Sequence, residues 1–157
     1  MSASTVQLIP MKWWHVEQVA ALEQQLFPVD AWSVEQFWAE LAQATRYYFL
    51  AMDESSVLGY AGLFALTPDA DVQTIAVSPK AQGKGMGRLL LEELINQAIA
   101  RDCVQLVLEV RSDNDAALSM YTRRGFEQLN TRRDYYAPGV DALVMRLHPL
   151  KAGRSDE

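Results

Sequence analysis

Apolar and polar positions alternate with two different periods along the chain. Alternating runs predict strands at residues 6–9, 47–52, 57–66, 71–77, 104–111, 126–134 and 142–147. Apolar residues spaced three or four positions apart predict helices at about residues 13–26, 34–44, 86–101 and 115–124. The predicted order is βααβββαβαββ, which indicates an α/β (α+β) domain with a mixed sheet.

Several element boundaries carry specific signals. Ser33 and Gln36 have the spacing of a capping box, so the second helix is predicted to begin after Ser33. Gly125 is predicted to stop the fourth helix. In the strand at 104–111 the side chains are predicted to divide between two faces. One face carries Val104, Leu106, Leu108 and Val110, and the other carries Gln105, Val107, Glu109 and Arg111.

Composition and charge limit the classes of protein to consider. The chain has 157 residues and a formal net charge of −6, which argues against a nucleic-acid partner. No apolar run approaches the ~18 residues of a membrane span, and residues 1–5 lack the features of a secretory signal. The single cysteine, Cys103, is interpreted as a small buried residue. We expect one cytoplasmic domain over residues 1–150, favoured as a monomer, and a disordered tail at 151–157.

Arginines are locally concentrated in this acidic chain. Arg123, Arg124, Arg132 and Arg133 lie close together in a chain with 14 lysines and arginines. One interpretation is solvated charge, including cations at the C-terminal end of a helix. The other is a basic patch that faces an anionic cofactor or an acidic substrate. The sequence leaves both interpretations open.

The segment from Gln82 to Arg88, the glycine loop, lies between a predicted strand and a predicted helix. Its glycines at 83, 85 and 87 allow positive φ and close approach of a ligand. The first N–H groups of the helix and its dipole favour an anion, and Lys84 adds positive charge. The loop lacks the ending of a Walker A motif and the spacing of a dinucleotide fingerprint. Taken alone, it indicates an anion site or a flexible start to a helix.

Further segments accompany the glycine loop. They are Ile75-Ala76-Val77 before it, and after it Leu108-Glu109-Val110-Arg111-x-x-Asn114, Ala117-Leu118-x-x-Tyr121-x-x-x-Gly125-Phe126 and Arg132-Arg133-Asp134-Tyr135-Tyr136. With Gln82-x-x-Gly85-x-Gly87, they resemble the GNAT superfamily of N-acetyltransferases over residues 6–147. The predicted order of elements matches that fold, a mixed and mostly antiparallel sheet flanked by helices. The later motifs are most similar to enzymes that acetylate the N-terminal alanine of a small-subunit ribosomal protein.

The resemblance implies acetyl-CoA as the co-substrate and assigns the residues that bind it. The pantetheine arm would lie between the strands at 71–77 and 104–111, which splay apart in this fold. The N–H of Val77 would donate to the thioester oxygen. The cofactor amides would pair with the backbone of Ile75, Ala76 and Val77. The pyrophosphate would lie on Gly83, Lys84, Gly85, Met86, Gly87 and Arg88, and Asn114 would hydrogen-bond the cofactor.

Two residues are candidates for proton transfer. Glu109 lies near the C-terminal end of its strand, opposite the apolar face, and the resemblance implies that it receives the amine proton directly or through a water. The pattern alone fits an ordinary solvated carboxylate as well. Tyr121 lies seven residues after Asn114, about two helical turns, so both face one side. The resemblance implies that Tyr121 protonates the departing thiolate, and the alternative is a core aromatic.

The resemblance also assigns a groove for the acceptor amine, walled by Phe27, Trp32, Tyr135 and Tyr136. Packing is the alternative for the two tyrosines. The chain departs from the family in two places. Val29-Asp30-Ala31 separates Phe27-Pro28 from Trp32-Ser33, and Asp134 stands where the family usually has Asn. Both departures lie in peptide-binding loops of the family, so they bear on the acceptor more than on the chemistry.

Three functions are considered. Acetylation of the N-terminal alanine of a ribosomal protein, with tolerance for other N-termini, is favoured. Acetylation of a lysine or a small amine would use the same chemistry with another groove. A non-catalytic module that binds acetyl-CoA is disfavoured because Glu109 and Tyr121 are both present. His15 and His148 are isolated, so no metal is expected.

Overall fold

The computed structural model describes residues 6–151 and contains the predicted order of elements. The strands are β1 (Val6–Pro10), β2 (Arg46–Asp53), β3 (Ser56–Leu66), β4 (Asp69–Val77), β5 (Gln105–Arg111), β6 (Glu127–Ala137) and β7 (Val140–Leu147). The helices are α1 (Val16–Leu26), α2 (Val34–Leu41), α3 (Met86–Ala100) and α4 (Asp115–Arg124). The order βααβββαβαββ is therefore confirmed. The predicted disordered tail lies, beyond Lys151, outside the described residues.

All seven strands belong to one sheet, in the order β1-β2-β3-β4-β5-β7-β6. The pairs β1–β2, β2–β3, β5–β7 and β6–β7 are antiparallel. The pair β4–β5 is parallel, with Asp69 opposite Gln105 and Asp71 opposite Val107. The sheet is mixed and mostly antiparallel, as the resemblance implied.

The chain divides into two compact units. Among the described residues, unit 1 comprises 6–64 and 73–94, and unit 2 comprises 65–72 and 95–151. The single domain expected over residues 1–150 stays a prediction. In the part of the chain that the structure describes, no helix is long and apolar enough to cross a membrane.

Unit 1 is organised around helices that pack on strands. The capping box at the start of α2 is confirmed: the Ser33 hydroxyl accepts from the Gln36 N–H at 3.1 Å, and Gln36 Oε1 accepts from the Ser33 N–H at 2.7 Å. Gly59 permits close packing, since a Cβ there would lie 2.8 Å from the Ala76 carbonyl oxygen. The main apolar cluster contains Met11, Val16, Val19, Leu22, Phe37, Tyr48, Leu50, Val57, Tyr60 and Ala76.

Unit 2 has an alternating core. Leu106, Leu108 and Val110 of β5 are buried, while Glu109 on the opposite face is exposed, as the pattern predicts. Gly125 ends α4 with φ +110°, a conformation that favours glycine. Cys103 is buried, and its thiol donates to the Asp69 carbonyl oxygen at 3.4 Å. Burial raises the pKa of this thiol.

Three predicted placements are wrong. Trp13 lies in a 3-10 turn, Trp13–His15, rather than in the first helix, because His15 Nδ1 accepts from the Lys12 N–H at 2.9 Å and closes that turn. The second helix ends at Leu41 and not near residue 44, since the chain turns into β2 there. Val104 precedes β5, because its N–H bonds to the Pro68 carbonyl oxygen outside the ladder. Its side chain is exposed and not on the buried face of the strand.

Candidate active site

The glycine loop in unit 1 contains two glycines in the left-handed conformation. A 3-10 turn, Pro79–Ala81, follows β4, and the Gln82 side-chain amide then donates to the Val77 carbonyl oxygen at 3.1 Å. Gly83 and Gly85 have φ of +77° and +83°. A Cβ at either glycine would meet no atom within 4 Å, so the positive φ and not crowding accounts for glycine. The space beside both glycines is open to a ligand.

The start of α3 supplies donors to that open space. The Leu89 N–H makes a helical hydrogen bond to the Gly85 carbonyl oxygen at 3.0 Å. The N–H groups of Met86 and Gly87 come before this bond, in the first turn, where no earlier helical carbonyl is available to them. Lys84 is exposed beside them. Backbone donors, the helix dipole and a cation together suit a phosphate group. The residues predicted to bind the cofactor remain a prediction.

The strand before the glycine loop, β4, ends in the three residues 75–77 that are predicted to pair with the cofactor. Ala76 is buried, and Ile75 and Val77 are half-buried. The Ser78 N–H bonds to the Leu58 carbonyl oxygen at 2.7 Å, which fixes the end of β4 against β3. Within unit 1, the predicted cofactor residues 75–77 and 83–88 are therefore joined by a short, hydrogen-bonded connection.

Glu109 of unit 2 forms an ion pair that the sequence did not reveal. Its Oε1 lies 3.4 Å from Arg132 Nη2, and the Arg132 guanidinium lies 5.4 Å from the ring centre of Tyr135. Arg132 is one of the four clustered arginines. Arg123 and Arg124 are in the last turn of α4 and donate to the carbonyl oxygens of Ser119 and Lys151. For Arg123 and Arg124, the structure favours the interpretation as cations at the C-terminal end of a helix. Arg132 instead forms an ion pair with Glu109, the candidate base.

Tyr121 lies on α4 and is 7% exposed. Burial raises the pKa of its phenol to about 12, because it disfavours the charged phenolate. The ring packs on Phe126, with centroids 5.5 Å apart. Tyr121 is therefore a neutral phenol at physiological pH, which is the form that a proton donor needs.

Asn114 caps α4, as predicted. Its Oδ1 accepts from the Ala117 N–H at 3.2 Å. This bond uses the carbonyl oxygen of the side chain, and the amide nitrogen takes no part in it. Helix capping and a hydrogen bond donated to a cofactor are therefore compatible roles for one side chain.

Two residues of unit 2, Tyr135 and Tyr136, are predicted to contact the acceptor amine, and their rings lie next to each other. Tyr135 and Tyr136 lie inside β6, not between strands as the sequence indicated, because β6 continues to Ala137 through a shift in register. Their rings are 5.2 Å apart and nearly perpendicular, and they are 55% and 37% exposed. Exposed tyrosines of this kind are available to a ligand. Arg111 lies 5.2 Å from the ring centre of Tyr136.

Asp134, where the family usually has Asn, supports the turn after the tyrosines. It has φ +53°, a conformation that Asn and Asp adopt more readily than most residues. Its Oδ1 accepts from the Gly139 N–H at 2.7 Å, and its own N–H donates to Asp141 Oδ1 at 2.9 Å. An Asn side chain offers the same acceptor oxygen, so the departure conserves this hydrogen bond.

The remaining predicted acceptor residues, Phe27 and Trp32, belong to unit 1. Phe27 is exposed at the end of α1, and Trp32 is half-buried with its ring 5.3 Å from that of Phe37. The Trp32 N–H donates to Oε2 of the buried Glu23 at 3.1 Å. Sequence reasoning missed Glu23, although a charged residue on the apolar stripe of α1 was a signal of a specific role. Within residues 6–151, no group of three His, Cys, Asp or Glu residues is placed to hold a metal ion.

Comparison with known proteins identifies the class. The model of the acetyltransferase (GNAT) family matches residues 13–126. The N-alpha-acetyltransferase RimI of Mycobacterium tuberculosis is 44% identical over 136 residues, 83% of this chain and 84% of the relative. The chain therefore belongs to the acetyltransferase (GNAT) family of enzymes, and the resemblance seen in its motifs is confirmed.

Two further relatives narrow the comparison. The [ribosomal protein bS18]-alanine N-acetyltransferase of Salmonella typhimurium is 36% identical over 138 residues, 85% of this chain and 87% of the relative. The crystal structure of the ribosomal-protein-S18-alanine N-acetyltransferase from Escherichia coli superposes with a TM-score of 0.85 at 28% identity, covering 96% of this chain and 98% of that one. Within the family, the chain is thus similar to RimI enzymes in both sequence and fold.

Proposed function

We propose that the chain transfers the acetyl group of acetyl-CoA to the α-amino group of a protein N-terminus, namely the N-terminal alanine of a small-subunit ribosomal protein. The observation that carries this proposal is the 44% identity to a RimI N-alpha-acetyltransferase over most of both chains. The relative that acts on ribosomal protein bS18 supports the choice of acceptor. A ribosomal acceptor implies that the reaction takes place in the cytoplasm.

In this proposal the glycine loop binds the pyrophosphate of acetyl-CoA. The left-handed conformations of Gly83 and Gly85 and the first N–H groups of α3 support that role. The backbone of Ile75, Ala76 and Val77 pairs with the amides of the pantetheine arm, and the Val77 N–H polarises the thioester carbonyl. Asn114 donates a further hydrogen bond to the cofactor.

Glu109 acts as the general base. The amine nitrogen forms a bond to the acetyl carbon as the carbon–sulfur bond breaks, and the amine loses one proton to Glu109, directly or through a water. An α-amino group suits a modest base, because with a pKa of about 7.7–8.0 roughly a tenth of it is neutral at pH 7. A lysine amine, with a pKa of about 10.4, is neutral in less than about a thousandth of molecules.

Tyr121 acts as the general acid and protonates the departing thiolate. Its pKa of about 12 in the folded protein lies above the ordinary value of about 8.5 for a thiol, so transfer to a thiolate with that ordinary pKa is unfavourable. The burial that raises the pKa of the phenol also disfavours a thiolate beside it, which reduces the difference. The proton therefore moves to sulfur as the negative charge develops there.

Four aromatic residues contact the acceptor in this proposal: Phe27, Trp32, Tyr135 and Tyr136. Aromatic walls contact the first residues of a peptide mainly through apolar area, which tolerates several side chains. We therefore expect N-termini other than alanine to be accepted more slowly. The Val29-Asp30-Ala31 segment beside Trp32 is expected to set part of this tolerance.

A comparison of acceptors tests the function. Purified protein is incubated with acetyl-CoA and an alanine-starting peptide that also contains an internal lysine, and the modified amine is located by mass spectrometry. The matched control is the same peptide with a blocked N-terminus. We expect acetylation only at the free α-amino group. Acetylation of the internal lysine in both peptides would instead indicate a lysine acetyltransferase, and binding of acetyl-CoA without turnover of peptides or polyamines would indicate a non-catalytic module.

A further inference from the structure

A carboxylate is buried at the C-terminal end of α1, where the proposed chemistry makes no use of it. Glu23 is 5% exposed, and it is the one buried carboxylate among the described residues. Burying an ionisable group costs free energy unless its oxygen atoms are hydrogen-bonded. The partners of Glu23 therefore indicate its role.

Both carboxylate oxygens of Glu23 accept hydrogen bonds. The Tyr60 hydroxyl donates to Oε1, and the Trp32 N–H donates to Oε2 at 3.1 Å. Burial and the bond to Glu23 raise the pKa of Tyr60, so the phenol keeps its proton and remains a donor. Because Tyr60 lies on β3, Glu23 connects the backbone at Trp32 to the sheet.

The main chain of Glu23 fixes the other end of the same loop. The α1–α2 loop (residues 27–33) begins at Phe27, whose N–H donates to the Glu23 carbonyl oxygen at 2.8 Å. This bond is the last main-chain bond of α1 and does not depend on the Glu23 side chain, whereas the Trp32 N–H bonds to the side chain itself. The segment between Phe27 and Trp32 includes the departure from the family pattern, and Val29 at its centre is exposed.

A second route connects Trp32 to Tyr60 through aromatic rings. The Trp32 ring is 5.3 Å from that of Phe37, and the buried Phe37 ring is 5.9 Å from that of Tyr60. The polar route through Glu23 and the aromatic route through Phe37 thus end on the same tyrosine. Two connections restrict the position of the indole more than either does alone.

We infer that Glu23 is a positioning residue whose side chain sets the place of Trp32 and thereby determines how tightly the acceptor peptide binds. The inference rests on the proposed function, which supplies the acceptor. The hydrogen bonds of Glu23 run to the α1–α2 loop and to β3. Its loss is therefore expected to weaken acceptor binding while leaving the glycine loop, and hence acetyl-CoA binding, unchanged.

The same unit contains a matched pair for comparison. The Tyr48 hydroxyl donates to Glu40 Oε1 at 2.7 Å, and Glu40 also pairs with Arg46 at 3.2 Å. Like the pair of Tyr60 and Glu23, this pair joins a helix to a strand through a largely buried phenol. Its hydrogen bonds run to β2 and not to the α1–α2 loop. Substitutions there measure the effect of losing a tyrosine–glutamate bond on the stability of unit 1.

The experiment compares Glu23→Leu and Tyr60→Phe with Glu40→Leu and Tyr48→Phe. Steady-state kinetics give kcat and both KM values, thermal unfolding gives stability, and hydrogen exchange with mass spectrometry follows the Trp32 amide. Loss of a bond to a charged group predicts a peptide KM about tenfold higher in Glu23→Leu, with the KM for acetyl-CoA unchanged. Glu23→Gln is expected to restore the peptide KM, because its amide oxygen accepts from Trp32 and its amide nitrogen donates to the Tyr60 oxygen.

The outcomes separate this inference from the function on which it rests. Faster exchange of the Trp32 amide together with a raised peptide KM, in Glu23→Leu and Tyr60→Phe but not in Glu23→Gln or in the Glu40 and Tyr48 variants, supports the inference. If the Glu40 and Tyr48 variants raise the peptide KM equally, the effect is one of general stability and the role assigned to Glu23 is overturned. A wild-type protein that acetylates no peptide overturns the proposed function itself, and the positioning role with it.

Discussion

The glycine loop of unit 1 and the polar cluster of unit 2 (Glu109, Arg111, Arg132, Tyr135 and Tyr136) are proposed to act on their ligands through different parts of the chain. The loop offers backbone N–H groups, and its conformation depends on two left-handed glycines. The cluster offers side chains, held by an ion pair and by contacts between arginines and tyrosine rings. A backbone site is changed by altering φ, and a side-chain site is changed by altering functional groups.

The largest effect on turnover is expected from substitution of Glu109, the carboxylate of the polar cluster. Glu109→Gln removes the base but conserves shape, so kcat should fall by about 10²–10⁴-fold while the affinity for acetyl-CoA stays constant. Steady-state kinetics and calorimetric titration with acetyl-CoA measure the two quantities. Glu127→Gln, the same change at an exposed position of β6, is the control. Parallel loss of turnover and of acetyl-CoA affinity would assign Glu109 a structural role and weaken the contrast between the two sites.

A smaller effect on turnover is expected from substitution of Tyr121, the proposed acid. Tyr121→Phe should lower kcat by about a hundredfold, because the thiolate would leave without an acid. Since the pKa of Tyr121 is raised to about 12, its proton is present throughout the neutral and moderately alkaline range, and a fall in rate due to its loss belongs near pH 12. The pH dependence of kcat in both proteins checks this. A wild-type descending limb near pH 10 that vanishes in the variant would contradict the burial of the phenol.

The same pKa fixes the sign of a stability effect. An unfolded tyrosine has a pKa of about 10, below that of folded Tyr121, so the folded state retains this proton longer. The stability contributed by the group is present below about pH 10 and is lost as the pH rises towards 12. Tyr121→Phe should therefore unfold with a weaker dependence on pH in that window.

The smallest change concerns the backbone site. Gly85→Ala places a side chain at φ +83°, a strain of about 1–3 kcal/mol, so the affinity for acetyl-CoA should fall about tenfold while the peptide KM is conserved. Gly139→Ala imposes the same strain at φ +81° in the turn after β6, where a Cβ also meets no atom within 4 Å. Calorimetric titration of both variants separates the two sites. Equal losses of acetyl-CoA affinity would mean that strain anywhere in the chain weakens binding.

The contrast between the two sites also explains which features of the fold and of the candidate site could be predicted from the sequence. The order of elements, the capping box at Ser33, the cap at Asn114 and the glycine stop at Gly125 are local features, and each was predicted. Strand alternation likewise placed Glu109 opposite the apolar face of β5. Such features depend on residues within a few positions of one another.

Contacts between distant positions were not predictable in this way. Glu23 and Tyr60 are 37 residues apart, and nothing in the sequence pattern of either segment indicates that their side chains meet. Arg132 was singled out for its charge, but its pairing with Glu109 depends on the register of β5, β7 and β6. The tyrosines of β6 were placed between strands because the predicted strand ended at Asp134. In the structure Asp134 has a positive φ, yet the strand continues beyond it to Ala137.

The buried thiol of Cys103 can serve as a probe of local unfolding in unit 2. It is the single thiol of the chain, it is buried, and burial raises its pKa, so labelling by a thiol reagent requires an opening of the structure. The labelling rate therefore reports how often the part of unit 2 next to Asp69 opens, without any engineered probe. Because that unit carries both Glu109 and Tyr121, a variant that loses turnover at an unchanged labelling rate has lost chemistry rather than folding.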